Sequence, residues 1–298
     1  MTKRQAPTIA RILHPVSVKD FLSSYFEQRP LIIRGPATKF NHVFTANEFK
    51  LGLDRVTEIR AVFAGLWQAT IDPADIKEMI NAGASVCVTG LEQGQPKLRQ
   101  IANAIKRELN YAGTVGFRAY LSPPGTGFDL HFDARVATTL QIAGSKRWWF
   151  SSTPAELFPP ANSPRNQKVL EREYSVPKLK QLKSVLLRPG DLLCLPAGTW
   201  HRARAQTMSL ALNLAFDHGR AGVFDVLVEA LYEKLQDDPA WRKPLPSIAG
   251  VNGKKLPPEV AAILRERLQS LQLSLAEMQH DNAALRRAWV KSVNSNKA

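Results

Sequence analysis

The sequence predicts an all-β core with flanking helices, a jelly-roll or barrel set between a mixed N-terminal segment and a helical C-terminal region. Residues 114–216 are a succession of short apolar strand patterns broken by Gly/Pro turns, with few helical stretches. The preceding residues mix strand and amphipathic helix patterns, and helical spacing returns from about residue 220. At 298 residues, 44% hydrophobic and 22% charged, the chain can bury one large core and carry an appendage. The expected division is 1–110 as an α/β segment flanking the core, 111–217 as the β core, and 218–298 as the helical region.

Residues 16–29, VSVKDFLSSYFEQR, place Val18, Phe21, Leu22, Tyr25 and Phe26 at helical spacing, and Pro30 stops that helix before the strand LIIRG. EIRAVFAG and ASVCVTG then read as strands, while PADIKEMINAG and PKLRQIANAIKREL read as helices lying on a sheet. The β region follows as TVGFRAYLS, the turn PPGTG, DLHFDARVATTLQIAG, SKRWWFSS, KSVLLRPGDLLCLPAGTWHRARA and MSLALNLAF. Within it Gly190-Asp191 form a turn, residues 192–195 a short buried strand, and Pro196-Ala197-Gly198 a loop presenting Trp200 and His201. AGVFDVLVEALYEKLQ opens the helical region, and a Pro-rich joint leads to a long C-terminal helix. There Leu264, Leu268, Leu271, Leu275, Met278, Asn282, Leu285 and Trp289 alternate steps of four and three. That seam suits either a helix packed on its own domain or a dimerisation helix with Asn282 fixing the register.

No apolar run approaches the roughly 20 residues of a membrane span, and residues 1–18 lack a signal-peptide core, so the cytoplasm is the expected location. Cys87 and Cys194 sit in strand-like runs without zinc-finger spacing and read as buried thiols. The formal charge of +14 favours polyanions such as RNA or ribosomes, with local concentrations in the C-terminal segment and at Arg165, Lys168, Arg172, Lys178, Lys180, Lys183 and Arg188. No zinc finger, RNP-type motif or unbroken basic block accompanies that charge.

The chemistry concentrates in FDLHFDARVATTLQIAGSKRWWF. In a strand, His131 and Asp133 at i and i+2 project to one side and can chelate one ion. Two His and one carboxylate on one face of a non-haem Fe(II) leave three positions open. Alone, H-x-D arises often by chance and reads first as a surface or satisfied-core pair. Among the other histidines, His14, His42, His218 and His280 lie in turns, beyond the last core strand or on the C-terminal helix, whereas His201 has a matching strand context. Lys146 follows a Gly144-Ser145 turn into an apolar, Trp-rich run. Its head is either solvated by snorkelling or buried against an anion such as a dicarboxylate.

The runs AYLSPPGTGFDLHFDARVATTLQIAGSKRWWF and LRPGDLLCLPAGTWHRA resemble the JmjC/cupin-type 2-oxoglutarate oxygenases, and most closely the ribosomal oxygenases. They share the order Y-x-(S/T)-P-P, H-x-D, L-Q-x-x-G-x-K-x-W, P-G-D, P-x-x-x-x-H, and FLSSYFEQRPLIIRG is similar to the family's opening helix and strand. The resemblance implies a double-stranded β-helix with Fe(II) on His131, Asp133 and His201, O₂ as oxidant, and 2-oxoglutarate chelating the iron with its far carboxylate on Lys146. It extends less firmly to Tyr120 and Asn213. Thr138 or Thr139 also falls within reach of the co-substrate, and Thr139 completes the expected site. The implied reaction is hydroxylation of a polypeptide side chain, a ribosomal protein being one such substrate, with a biosynthetic peptide, a small metabolite or a non-catalytic cupin as the alternatives. The implied partners include nearby rRNA and a second copy joined through the C-terminal helices. Asp133 in place of Ala or Gly favours hydroxylation over halogenation. Ala134-Arg135-Val136 depart from the further acidic residues common after H-x-D, which singles out Arg135 for substrate choice.

Overall fold

Alternation of apolar and polar residues along the strands sorts them onto two faces, and the computed structural model, which describes residues 8–65, 67–160, 172–218, 222–249 and 255–294, lays those faces out. The strands are β1 (Leu31–Ile33), β2 (Glu58–Phe63), β3 (Trp67–Thr70), β4 (Ser85–Thr89), β5 (Thr114–Ser122), β6 (Arg135–Ala143), β7 (Lys146–Phe150), β8 (Lys183–Leu187), β9 (Leu192–Leu195), β10 (His201–Ala205) and β11 (Ser209–Asp217). An eight-stranded sheet runs β1-β9-β6-β11-β5-β4-β2-β3, and a three-stranded sheet runs β10-β7-β8. All pairings are antiparallel. This is the antiparallel double-sheet core of a jelly-roll of the cupin type.

On the back of the large sheet, Leu210, Leu212, Leu214 and Phe216 of β11 join Phe117 and Ala119 of β5 and Val136 and Leu140 of β6 in one apolar cluster. Helices α1 (Thr8–Leu13), α2 (Val18–Ser24), α3 (Ile76–Asn81), α4 (Leu91–Gly94) and α5 (Pro96–Leu109) bring Ile9, Leu13, Phe21, Ile76, Leu91, Leu98 and Ile105 into it. α5 spans the residues the periodicity predicts. Pro96 stands at its first turn, Leu98, Ala102 and Ile105 line its buried face, and Asn110 closes it in the left-handed region at φ 48°. Each fully buried Leu or Phe on this face is worth about 2–3 kcal/mol.

On the front, Ser209, Ala211, Asn213 and Ala215 of β11 align with Ser122, Tyr120, Arg118 and Gly116 of β5. Thr139 and Ala137 of β6 pair with Leu193 and Leu195 of β9 on the same side. The three-stranded sheet contributes Phe150, Val185 and Leu187, which meet Leu193 and Leu195 in a second, smaller cluster. This front space is where the polar residues collect.

Several expectations need correction. α2 stops at Ser24 instead of running to Pro30, because Tyr25 leaves helical geometry and Glu27 turns to φ 58°. A short helix, α1, precedes it. EIRAVFAG is followed by a partner strand, β3, across a turn with Ala64 and Gly65 at positive φ. His131 and Asp133 do not lie on a regular strand, since β6 begins at Arg135. Residues 125–131 instead run along β10 as an irregular edge, with Gly125 N bonded to Ala205 O at 2.8 Å and Ala203 N to Phe128 O at 3.1 Å. Gly127, at φ 149°, allows this approach, because a Cβ there would run into the Ala203 carbonyl. Arg165 and Lys168 lie outside the described residues.

Contacts divide the chain into residues 1–217 and 218–298. The second unit holds α6 (Val223–Leu235), α7 (Pro239–Arg242), α8 (Pro258–His280) and α9 (Asn282–Asn294). The single long helix and its continuous seam are not found: Asp281 leaves helical geometry at ψ 82°. Its carboxylate accepts from Ala284 N at 2.9 Å, capping α9. Asn282 is thus the first residue of a helix rather than a mid-seam position. Ala230, Met278 and Ala288 form a small core for this unit, with Lys234–Glu277 at 2.9 Å and Lys291–Glu229 at 2.6 Å outside it.

Candidate metal centre

His201 opens β10 and faces His131 through a reciprocal backbone pair: His131 N donates to His201 O at 3.0 Å, and His201 N to His131 O at 2.7 Å. This cross-strand pairing, rather than i, i+2 alternation, places the two rings 4.3 Å apart. Asp133 is tied to the turn before β10, its carbonyl accepting from Gly198 N at 2.8 Å. Gly198 sits at φ +76°, where a Cβ would strike the Glu156 carbonyl. His131, Asp133 and His201 each offer a ligand atom, all within 4.8 Å of one another, and among the described residues they are the one such group.

The donor set is prepared for a metal. His131 Nδ1 lies 2.6 Å from Asp129 O and His201 Nδ1 2.8 Å from Thr199 O. A proton on each Nδ1 satisfies those carbonyls and leaves both Nε2 lone pairs free, the arrangement that fixes the ligating tautomer. Burial, then the neighbouring His131, brings His201 down to about 4, so it is neutral and able to coordinate near pH 7. Burial works to raise the Asp133 carboxyl, but Arg135, then His201, His131 and Arg118, outweigh it and hold it ionised. Arg135 takes Asp133 Oδ1 at 3.0 Å, while Oδ2 faces His201 Nε2 at 3.9 Å. Two imidazoles and a singly presented carboxylate fit the facial iron triad.

Lys146, 2% exposed, is buried rather than snorkelling. Its Nζ donates to Ser122 Oγ at 2.8 Å, and Ser85 Oγ donates to Ser122 at 3.0 Å. Burial brings the ammonium down to about 8. Lys146 and His201 share one face of the small sheet, four residue levels apart in the β7–β10 register, or roughly 13 Å along the strands. Between them lies a cavity of about 440 Å³ lined by Tyr120, Phe128, Trp148, Ala211 and Asn213 among others.

Tyr120 and Asn213 line the same cavity as the metal residues. Burial raises the Tyr120 hydroxyl and keeps it protonated. Asn213 Nδ2 donates to Thr139 Oγ1 at 3.3 Å, and its buried Oδ1 has no partner. Thr139 supports Asn213 without itself lining the cavity, while Thr138 bonds Cys194 Sγ at 3.2 Å on the opposite face. Both cysteines are free and buried. Ser122 was missed by sequence reasoning, although it is the serine of the Y-x-(S/T)-P-P run, two residues along the strand from Tyr120.

Residues 92–221 match the family model of the JmjC domain. The chain is 27% identical over 296 residues to the uncharacterized protein YxbC of Bacillus subtilis (strain 168), covering 89% of this chain and 86% of that one. It is 29% identical over 211 residues to the bifunctional lysine-specific demethylase and histidyl-hydroxylase NO66 of Aedes aegypti, a match that takes in 65% of this chain but only 32% of the mosquito protein. The fold is similar to that of the ribosomal oxygenase YcfD from Escherichia coli, solved with cobalt and 2-oxoglutarate, with a TM-score of 0.58 and 16% identity over 95% of this chain and 72% of that one.

Proposed function

We propose, from the premise that residues 92–221 are a JmjC domain, that the protein is an Fe(II)- and 2-oxoglutarate-dependent oxygenase hydroxylating a polypeptide side chain. The observation that carries the proposal is the convergence of His131, Asp133 and His201, with both Nε2 atoms freed by backbone carbonyls, in a cavity that also holds a buried lysine. Bound Fe(II), with O₂ and 2-oxoglutarate, supplies the oxidising chemistry: the co-substrate is decarboxylated to succinate and one oxygen atom enters a C–H bond.

The chain's own residues hold, orient and shield. His131 and His201 would offer Nε2 to the metal and Asp133 would offer Oδ2, while Arg135 restrains Oδ1. Lys146 and the Ser122 hydroxyl receive the distal carboxylate of 2-oxoglutarate, which supplies the counter-charge that a buried ammonium lacks. Trp148, Phe128, Ala203 and Ala211 wall the cavity with apolar surface and limit water. Tyr120 and Asn213 border the co-substrate, with Thr139 holding Asn213 in place.

The names of the zebrafish relative, ribosomal oxygenase 1, and of the Escherichia coli structure support a ribosomal protein as substrate. The +14 charge supports work near rRNA in the cytoplasm. No helix among the described residues is long and apolar enough to cross a membrane. Oxidation of an N-methyl group begins the same way and leads to demethylation. A homodimer through the C-terminal helices belongs to the same proposal, supported by apolar side chains exposed there, such as Leu268, Leu273 and Tyr232.

Incubation of the purified protein with Fe(II), 2-oxoglutarate and host ribosomes, followed by mass spectrometry of the ribosomal proteins, tests the reading. The expected product is one side chain heavier by one oxygen atom, absent with Asp133→Ala. Succinate release without any modified ribosomal protein would redirect the substrate to the peptide or metabolite alternatives.

A further inference from the structure

The cavity beside the metal donors carries more positive charge than metal and co-substrate binding require. Arg60, Arg118, Arg135 and Lys146 line it, against the carboxylates of Asp129 and Asp133. Both carboxylates are committed. Asp129 is bonded by Arg204, with Arg202 at 3.7 Å, and Asp133 divides its oxygens between Arg135 and the metal position. Arg60 is held by Glu58 at 3.1 Å and by Gln68 Oε1 at 2.6 Å. Among the groups lining the cavity, a divalent ion, Asp133, the dianion of 2-oxoglutarate and Lys146 cancel one another, and Arg135 is further balanced by Asp217, its cross-strand neighbour on β11, which leaves the charge of Arg118 in excess.

Arg118 differs from the other cations. It sits in the middle of β5, in register with Thr89 on one side and Asn213 on the other, and its half-buried side chain reaches the cavity. Among the described residues none gives its guanidinium a hydrogen bond or a salt bridge; its charge is felt at Asp133 and at the partly buried Glu92 carboxyl, which is itself engaged by Phe117 N at 2.7 Å. A guanidinium held on a rigid central strand matches a carboxylate with two parallel hydrogen bonds. A cationic side chain entering the same space would meet like charge, and both cavity carboxylates already have partners.

We propose that Arg118 is a specificity-determining residue that receives a carboxylate of the substrate next to the oxidised carbon, so that the site takes an acidic side chain or a small carboxylic acid and rejects arginine and lysine. This rests on the oxygenase reading above and narrows its substrate class. Peptide and free acid share the carboxylate, and separate arms of one experiment distinguish them.

The test is calorimetric titration of the full chain, loaded with Zn(II) and 2-oxoglutarate so that Lys146 is occupied, with three probes: acetyl-Gly-Glu-Gly-amide, N-acetylglutamate and acetyl-Gly-Arg-Gly-amide. Binding of the glutamyl peptide supports the proposal with a polypeptide source, and binding of N-acetylglutamate alone supports it with a small-molecule source. Arg118→Gln is expected to weaken the bound acidic probe by about tenfold or more, with Arg118→Lys retaining part of the affinity and 2-oxoglutarate binding changed by no more than about twofold. The proposal is overturned if neither acidic probe binds, if the arginyl peptide binds as well as they do, or if Arg118→Gln weakens 2-oxoglutarate instead. The three-probe contrast on the unaltered protein decides the matter even if the variant does not fold. Failure to take up Zn(II) and 2-oxoglutarate, seen before any probe is added, overturns the oxygenase reading and this inference with it.

Discussion

The two faces of the eight-stranded sheet are built from alternate residues of the same strands and do opposite things. Behind β11, Leu210, Leu212, Leu214 and Phe216 are packed into the main core, which supplies stability. In front, Ser209, Ala211, Asn213 and Ala215 leave room for Tyr120, Lys146 and the metal donors, which burial makes costly. A register shift of one residue would exchange core for site. The contrast teaches that the back face holds polar groups on the front in positions that they would not take unaided.

The largest expected effect is on the front. Asp133→Ala should lower 2-oxoglutarate turnover by at least about a hundredfold with the unfolding midpoint scarcely moved; a large fall in stability would mean that the carboxylate is structural. On the back, Leu212→Ala should cost about 2–5 kcal/mol in urea unfolding while the folded fraction still binds metal and co-substrate. Loss of co-substrate affinity in that folded fraction would erase the distinction between the faces. Lys146→Met should weaken 2-oxoglutarate by about ten- to a hundredfold yet leave stability equal or higher, because it replaces a buried ammonium with an apolar chain of similar length. Destabilisation by that change would place Lys146 among the structural residues.

The smallest effect is on pH dependence. In the free protein the Lys146 ammonium lies near 8, lowered by burial. Below that pH it is charged, and 2-oxoglutarate affinity should be flat. Above it the cation is lost from the free protein, and the dissociation constant should rise by about tenfold per pH unit. On the acid side, metal affinity should fall as pH approaches about 4, where His201 takes a proton. Lys146→Met should remove the alkaline limb and keep the acid one; an alkaline limb that persists would assign it to another group.

Much of this architecture is legible in the sequence, because strand alternation and Gly/Pro punctuation are local signals. β5, α5 and the strands from β7 to β11 fall where the patterns put them. His201 and Lys146 were separable from the other histidines and lysines by strand context, since burial on a strand follows from its neighbours. The geometry of His131 and Asp133 was not legible in the same way. Their convergence depends on the 125–131 edge pairing with β10, a long-range contact that Gly127 and Gly198 permit without announcing it. The break at Asp281 was hidden because the apolar repeat continues through it, and capping by one carboxylate decided against the repeat. Nothing in the sequence singles out Arg118, because its lack of a hydrogen-bonded carboxylate becomes visible only when every carboxylate in the cavity has been placed.

The central claim is that the space in front of the large sheet holds iron and 2-oxoglutarate together on His131, Asp133, His201 and Lys146. Anaerobic titration of the purified chain with Fe(II) and 2-oxoglutarate, followed by visible absorption, tests it most directly. A metal-to-ligand charge-transfer band should appear only with both components, vanish in His131→Ala and Asp133→Ala, and need higher 2-oxoglutarate in Lys146→Met. A folded, iron-loaded protein that gives no such band, or the same band in all of these variants, would contradict the account.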